Sequence, residues 1–573
     1  MAHQRIWEYP PREAAAVAEL AAALEVPPLV AHLLRLRGIV EPEAAHRFLY
    51  PSLDHLHDPR LLTGVPVAVE RLSAAIAARE RIAVHGDYDV DGITSTVILR
   101  RALHLLGGDV IHFIPDRLRD GYGLQPEAVD RLAAEGARVI VSVDCGIRSV
   151  EAANRAVALG VDLIITDHHE PEDELPRALA VINPKRPDCA YPDKQLAGVG
   201  VALKLVQALC AAHGRERWLP SFVKVAAIGT LADVVPLVGE NRVITKIGLE
   251  GLTRGPNAVG LRSLIDVAGL SGKTLDSFHI SFMIAPRVNA AGRMSSPDIA
   301  TRLLLAADEA DLGLAKSLAG QLNDENLKRQ AEEADLVSQA RKVIEHDPAV
   351  GAHNVLVVGG EGWHRGVIGI VASKLVDAYH KPAIVLSVDG DVAHGSCRSI
   401  PAFDMLGALT QCAPLFARFG GHRQAAGLTM DSRLVPEFRR QINQIADEVL
   451  DPEDLVPRLR IDGDLALSAI DGPLVQALER LAPFGAGNPR PLFSAENVEI
   501  VSGPHAIKDR HLKMTLRQGG RVMQAVAWRA AERRDLLEAN RRGVRVAYSL
   551  ERSEYRGETS LELTLADFKP GGA

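Results

Sequence analysis

Between residues 81 and 182 the sequence alternates short β-branched runs with segments of helical period. The runs are Arg81–His85, Val110–Ile114, Arg138–Val143, Val161–Thr166 and Ala180–Ile182. Between them lie Ile93–Leu106, Pro126–Ala134 and Ser149–Leu159. Strands that alternate with helices predict a parallel sheet with helices on both faces. Such a sheet presents its chemistry at the carboxyl ends of its strands, so the residues just past each run carry the functional information.

Those residues are acidic or imidazole. The first run leads into Val84-His85-Gly86-Asp87-Tyr88-Asp89-Val90-Asp91-Gly92, the third into Asp144-Cys145-Gly146, and the fourth into Asp167-His168-His169. Each alone has a plain explanation, because Asp after a strand often caps the next helix and a His pair can be a polar loop. Three β/α units placing Asp or His at one edge of one sheet is a different matter. Bare, these carboxylates repel; divalent cations relieve that repulsion, and hard oxygen donors suit Mg²⁺ or Mn²⁺. A fourth segment, Ile228-Gly-Thr-Leu-Ala-Asp233-Val-Val-Pro236, adds an Asp near the end of an apolar helical run. The candidate cage is therefore His85, Asp89, Asp91, Asp144, His168 and Asp233. It would hold two divalent ions about 3.5–4 Å apart, the spacing that clamps both oxygens of an in-line displacement at phosphorus. Asp144 is the candidate bridge, and the imidazoles tilt preference toward Mn²⁺. Asp87 would stand behind the ligands and orient His85 or a coordinated water.

Elsewhere the chain changes character. Residues 1–80 read as helical, with Ala14–Leu24 and breaks at Pro27, Pro28, Pro42 and Pro51. A mostly helical stretch follows Gly198, ending in the long polar period Asp308–Ile344, which reads as a solvated helix connecting two domains. A second α/β unit starts at Asn354-Val-Leu-Val-Val. From about Pro457, runs such as Arg521–Trp528, Arg542–Leu550 and Leu561–Phe568 read as a small antiparallel barrel or sandwich. A length of 573 residues with 47 % hydrophobic content supports several real cores. The five cysteines, Cys145, Cys189, Cys210, Cys397 and Cys412, are scattered without a CxxC spacing, which argues for a reducing cytoplasm. No apolar run long enough to span a bilayer and no signal peptide is expected. The net charge of −8 disfavours nonspecific nucleic-acid binding, unless basic groups cluster locally.

In order and spacing, GDYDVDG, VDCG, DHH and ADVVPL resemble the motifs of the DHH phosphoesterases. His85-x-x-x-Asp89-x-Asp91 matches the first motif, Asp144 the second, Asp167-His168-His169 the third and Asp233 the fourth, with no departure at a ligand position. Gly362-Trp-His-Arg-Gly-Val-Ile-Gly369, Gly395-Ser-Cys-Arg-Ser399 and Phe419-Gly-Gly-His422 resemble the DHHA1 domain. Pro483-Phe-Gly-Ala-Gly-Asn-Pro-Arg490 resembles the terminal OB-fold segment of the bacterial RecJ exonucleases. The resemblance implies an α/β fold with a parallel-sheet DHH domain, a long connecting helix, a DHHA1 α/β domain and a β-barrel OB-fold. The corresponding spans are 1–80 (N-terminal helices), 81–305, 306–346, 347–452 and 453–573. It also implies a 5′→3′ exonuclease specific for single-stranded DNA, dependent on Mn²⁺ or Mg²⁺, releasing nucleotide 5′-monophosphates in recombination and repair. Single-strand-binding protein and a RecQ-type helicase are the partners it implies, with no membrane.

Several residues are candidates for handling substrate. His169, beside the cage, can donate to the scissile phosphate or bind metal. Gly420 and Gly421 let backbone amides approach a phosphate, to which His422 can donate. Ser396 and Arg398, two apart on an expected strand, face one side and can fork a phosphate. Arg117 lies past another strand end and joins them as a candidate pocket for a 5′ end, while Tyr122 is a candidate for stacking on a base. Arg287, Asn289 and Arg293 resemble a further family motif, expected in a loop because the segment follows a Pro. From 505 to 545, eleven Lys and Arg stand against four Asp and Glu. That excess predicts an electrostatic grip on phosphates, with Trp528 and Tyr548 as stacking candidates, although barrel aromatics are more often core. Two other readings stand beside this one. The first is a DHH phosphodiesterase for short oligonucleotides or cyclic dinucleotides, disfavoured by the basic terminal domain. The second is an inactive DNA-binding scaffold, disfavoured by the intact ligand set.

Overall fold

The computed structural model describes residues 5–116, 120–121, 123–255, 258–555 and 558–571. The chain divides into two compact units: residues 13–326 with 472–490, and residues 1–12 with 327–471 and 491–573.

The first unit is built on a five-stranded parallel sheet. Its order is Asp109–Phe113, Arg81–Gly86, Ala137–Val143, Asp162–Thr166 and Ala180–Ile182. Burial on both faces explains the near-continuous apolar runs. Val84, Val139, Val141 and Ile164 pack on one side with the helices Val65–Ala78 and Gly198–Ala212. Ala83, Ile140, Leu163 and Ile165 pack on the other with Pro126–Ala134 and Val150–Leu159. The chain order of the strands reverses beside Arg81–Gly86, because its sequence neighbour lies on one side and Ala137–Val143 on the other. This is the switch point at which open α/β sheets leave a crevice. The strand ends are in register: Gly86 faces Val143, and Val143 faces Thr166. The ladder then runs one step further, with the Asp144 amide donating to Thr166 O and the Asp167 amide to Ile182 O. Residues 85–87, 144 and 167–169 are thereby brought side by side.

Gly472–Arg490 belongs to this unit although it lies far along the chain. Arg242, 1 % exposed, stacks 3.6 Å over the Phe48 ring and donates to the carbonyls of Phe48, Arg480, Leu481 and Ala482. That is how a buried guanidinium satisfies its donors without a carboxylate.

In the second unit, Leu356–Glu361 runs parallel to Ala383–Asp389, and Val392–Arg398, Ala425–Asp431 and Phe416–His422 follow antiparallel. Five strands, Phe493–Ile507, His511–Gln518, Arg521–Ala527, Glu558–Lys569 and Val544–Tyr555, close on themselves through pairing of the last with the first. The runs predict an antiparallel barrel or sandwich; the structure is a barrel, and it is not wholly antiparallel, because Arg521–Ala527 pairs in parallel with Glu558–Lys569. The strand Ile6–Glu8, where only helix was expected, pairs in parallel with Arg458–Arg460.

The long helix is Leu312–His346, and the division between the units falls within it. It is not polar all round. Ala315, Leu318, Ala319 and Leu322 join the core of the first unit, and Leu336, Ala340 and Ile344 are buried as well. Its polar side includes a buried Arg329–Glu333 pair joined by Lys374. Among the described residues, no single helix is long and apolar enough to cross a membrane. The five cysteines are free and buried.

Candidate metal centre

Each ligand candidate is fixed by the element that carries it. His85 ends its strand fully buried, with Nδ1 3.6 Å from Cys145 Sγ. Asp89 caps the helix Val90–Leu105, its Oδ1 accepting from the Gly92 amide. Asp91, on the first turn of that helix, is 1 % exposed, and both its oxygens are held: the Gly198 amide donates to Oδ2 and the Val199 amide to Oδ1, each at 2.7 Å. Those amides are the open N-terminus of the helix Gly198–Ala212, where unsatisfied donors and the helix dipole favour an anion. Asp144 adopts φ 60°, a left-handed conformation that Asp and Asn tolerate better than other side-chain-bearing residues. Asp233 is the C-cap of the helix Leu219–Ala232.

Five of the six groups converge. His168 Nε2 lies 3.3 Å from Asp144 Oδ1, 3.6 Å from Asp233 Oδ2 and 4.0 Å from Asp91 Oδ2. Three sets of donors each fall within 4.8 Å: Asp144, His168 and His169; Asp91, His168 and Asp233; and Asp87, Asp89 and Asp144. Asp144 belongs to two of them, as a bridging carboxylate must. His85 belongs to none of the three. Its Nε2 is nonetheless buried without a hydrogen bond, as are Asp144 Oδ1, His168 Nε2 and Asp233 Oδ2. Buried polar atoms left unbonded are costly; these are all metal-ligand types, and those of Asp144, His168 and Asp233 lie together. Divalent cations suit such a donor set.

The titration behaviour agrees. Burial holds the His85 imidazole down to about 4, and burial also lowers His168, so both are neutral and able to ligate. Burial, then the neighbouring Asp233, pushes Asp91 up to about 8. Burial, then Asp89, lifts Asp233 to about 7, and Asp144 rises well above the usual range, by burial and then by Asp91. The amides on Asp91 favour its charged form while its surroundings oppose it. Positive charge in the pocket resolves that conflict.

Behind the ligands stands Asp167, which the sequence reading passed over as a site residue. Its Oδ1 accepts from the His168 and His169 amides and from His169 Nδ1 at 2.7 Å, and its Oδ2 from the Ile147 amide. Burial, the largest single influence, would raise its pKa, but the hydrogen bond and charge of His169 together with the Ile147 and His169 amides outweigh it and lower it. Conversely, burial would lower His169, but Asp167 raises it. The two neighbouring imidazoles are thus pushed in opposite directions, His169 toward its protonated form and His168 toward its neutral one. Asp87, 2 % exposed, is packed against the start of the next helix: a Cβ on Gly92 would lie 2.5 Å from Asp87 N and O.

The remaining candidates divide. Ser396 and Arg398 lie on the same, less buried face of Val392–Arg398, joined by a 3.4 Å hydrogen bond from Arg398 Nη1 to Ser396 Oγ. They abut the first turn of the helix Ile368–Tyr379, where a Cβ on Gly369 would sit 3.0 Å from Ser396 Oγ and 3.4 Å from Arg398 Nη2. Gly420, Gly421 and His422 are on the edge strand Phe416–His422 rather than in an isolated turn. Gly421, at φ 145°, lets the paired strand approach: a Cβ there would meet Ala425 O and Ala426 Cα at 2.5 Å. The expected loop at Arg287–Arg293 is instead the helix Ala285–Met294, because Pro286 occupies its first turn, where proline starts a helix instead of breaking one. There Asn289 Oδ1 accepts from the Val90 amide, and Arg287 donates to Met283 O and Asn323 Oδ1. Asn289 thus braces the start of the helix that carries Asp91, while Arg287 ties its own helix to the preceding turn and to the long helix Leu312–His346. Arg117 and Tyr122 lie outside the described residues.

In the barrel, Tyr548 is fully buried and donates to Leu465 O, so it is core, while Trp528 is 58 % exposed beside His511. Much of the basic excess is neutralised within the unit. Arg517 and Arg542 meet Glu499, Arg545 meets Glu496, Arg533 meets Asp567, Arg534 meets Glu538, and Lys513 meets Glu562. Lys508, Arg510, Arg521 and Arg529 remain exposed without an ion pair among the described residues.

Fold and pocket together define a metal-dependent phosphoesterase of the DHH type. The DHH family N-terminal domain matches residues 81–230, the DHHA1 domain 352–448 and the RecJ OB domain 461–567. The chain is 39 % identical over 536 residues to the single-stranded-DNA-specific exonuclease RecJ of Bacillus subtilis, covering 93 % of this chain and 67 % of that one. With RecJ of Escherichia coli it shares 34 % over 582 residues, covering 98 % of each. The crystal structure of RecJ in complex with Mn²⁺ from Thermus thermophilus superposes with a TM-score of 0.84 at 32 % identity, covering all of this chain and 81 % of that one. The chain belongs to the RecJ family.

Proposed function

We propose that the protein is a single-strand-specific DNA exonuclease that works 5′→3′ and releases nucleotide 5′-monophosphates. The observation that carries this is the convergence of unbonded buried ligand atoms around His168 Nε2, with three carboxylates within 4.0 Å. His85, Asp89, Asp91, Asp144, His168 and Asp233 would hold two Mn²⁺ or Mg²⁺ ions, Asp144 between them. When bound, the pair supplies Lewis acidity and an activated water for in-line attack at phosphorus. The chain's own residues do the rest. Asp167 strengthens the hold of His169 on its proton, which suits His169 to donate to the scissile phosphate. Asp87 supports the ligand-bearing turn. Asn289 fixes that turn from behind, and Arg287 and Arg293, on the same helix, add positive charge for the DNA backbone.

Ser396, Arg398 and Arg117 are assigned to a terminal 5′-phosphate, whose extra charge distinguishes an end from a chain interior, and Gly420, Gly421 and His422 to a phosphate of the strand. Tyr122 is assigned to base stacking. Single-strand-binding protein and a RecQ-type helicase fit as partners that expose and supply the strand, in the cytoplasm. The deciding experiment is digestion of end-labelled oligonucleotides with Mn²⁺, Mg²⁺ or chelator. Mononucleotides released from the 5′ end only when metal is present support the assignment. Metal-independent cleavage, release from the 3′ end, or hydrolysis of dinucleotides but not long strands overturns it.

A further inference from the structure

Twelve phenylalanines occur in the chain, and only two are mostly exposed among its described residues: Phe278 at 56 % and Phe282 at 67 %. They are not scattered. Their rings stack 5.0 Å apart at 28°. Phe278 lies in the short turn Ser277–His279, and Phe282 lies within the single π-helical turn Ile280–Ile284 that follows it and leads into Ala285–Met294. A π turn inserts one extra residue and re-aims side chains, and such turns recur at functional sites. Both rings stay exposed with the whole chain present.

The turn is tied to the metal centre. Ser281 Oγ donates to Leu231 O, two residues before Asp233. The next residue, Val234, is 69 % exposed and sits at φ 62°. A β-branched residue in the left-handed region is strained, and such strain is kept where surroundings demand it. On the other flank, Ser277 Oγ donates to Phe484 O, and the Arg490 guanidinium lies 4.9 Å from the Phe484 ring centroid. The patch thus joins an apolar aromatic face to an exposed cation, beside a phosphodiester-cleaving pocket.

We infer that Phe278 and Phe282 form a stacking platform for nucleobases of the single strand, with Arg490 beside it for the phosphate backbone. This rests on the exonuclease reading above. Size argues for bases over a folded partner. Two phenylalanines bury at most about 150–250 Å² each, far below the roughly 800 Å² per partner of a stable protein interface, yet enough for one or two bases. The rings are already nearly parallel, so a base extends the stack without moving either. Stacking is blind to base identity, as degradation of any sequence requires.

The test uses the full chain and a 5′-phosphorylated 20-mer, with binding read in chelator. One abasic residue is walked along the strand. Wild type should show a position at which the missing base weakens binding roughly 5- to 150-fold. Phe278→Ala/Phe282→Ala should bind the intact strand more weakly by that factor and be indifferent to the abasic residue at that position. Phe278→Tyr/Phe282→Tyr should restore both affinity and sensitivity. Mn²⁺ affinity should match wild type in both. The inference is overturned if the alanine pair binds intact and abasic strands as wild type does, if Mn²⁺ affinity falls in step with DNA affinity, or if the alanine pair loses a self-association that wild type shows in sedimentation. A wild-type protein that cannot degrade single strands with Mn²⁺ overturns the exonuclease reading instead, whatever the variants do.

Discussion

Gly198 offers a sharp perturbation, because one added methyl group acts on two ligands at once. A Cβ there would lie 2.4 Å from Asp144 Oδ1, 2.7 Å from its Cγ and 2.8 Å from its Cβ. Ordinary contact with that oxygen needs about 3.4 Å, so the carboxylate, the helix start or both must move by roughly 1 Å. The Gly198 amide also donates to Asp91 Oδ2, so a retreating helix would loosen that ligand too. Helix propensity works the other way: alanine in a helix is about 0.8–1 kcal/mol better than glycine. The two effects separate in different assays. Gly198→Ala should lower the rate of mononucleotide release about 100-fold, the typical cost of a 1 Å misplacement of reacting groups, and weaken Mn²⁺ binding in calorimetry. Its thermal midpoint should change little. Gly200→Ala is the control on the same helix. Its nearest neighbours, 3.1 and 3.3 Å away, belong to the Leu196 side chain, which can yield. Gly198→Ala with turnover within threefold of wild type and unchanged Mn²⁺ affinity would refute the reasoning.

Asp144→Asn keeps a residue suited to φ 60° but removes the charge; cleavage should drop at least about 1000-fold while strand binding in chelator persists, and near-normal turnover would remove Asp144 from the centre. Arg398→Ala should cut the rate preference for 5′-phosphate over 5′-hydroxyl ends by about 10- to 100-fold, the worth of a hydrogen bond to a charged group; an unchanged ratio denies it that role. For pH, the metal-free folded protein keeps protons on Asp91 up to about 8 and on Asp233 up to about 7, whereas the unfolded chain releases them near 3.9. Folded-state pKa values are raised, so metal-free stability should be fullest below about pH 4 for these groups and fall as pH climbs toward 8. Mn²⁺ should reverse the trend by expelling those protons, and melting curves in chelator that rise across pH 5–8, or calorimetry showing no proton release, would contradict this. Tyr548→Phe leaves Leu465 O without its donor and should cost about 1–3 kcal/mol, whereas Trp528→Ala should stay within about 0.5 kcal/mol; equal effects in a denaturant series would mean the barrel packing is misassigned.

The sheet and the pocket were legible in the sequence because their signals are local. A β-branched run followed by Asp or His states both the strand and the place where it stops, and parallel register does the rest. What stayed hidden depends on distant partners. The amides that grip Asp91 come from a helix 107 and 108 residues away, and backbone amides leave no mark in side-chain chemistry. Asp167 was read only as part of a motif; the four N–H groups it serves exist only once the strand ends meet. Pro286 was read as a breaker, although a proline in the first turn opens a helix. The barrel's positive excess was counted over a window that left out Glu496, Glu499, Glu562 and Asp567, which offset much of it. The long helix was read as solvated because its apolar stripe is diluted by a buried ion pair that looks like surface charge in the sequence.

The segment Gly472–Arg490, which completes the first unit, also sets a timetable for biosynthesis. Arg242 must wait for the Leu481 carbonyl, 239 residues later, an interval of roughly 10–50 s at ordinary translation rates. A nascent chain interrupted before that point would carry His85, Asp89, Asp91, Asp144, His168 and Asp233 but leave a buried guanidinium with the Phe48 carbonyl alone of its four acceptors.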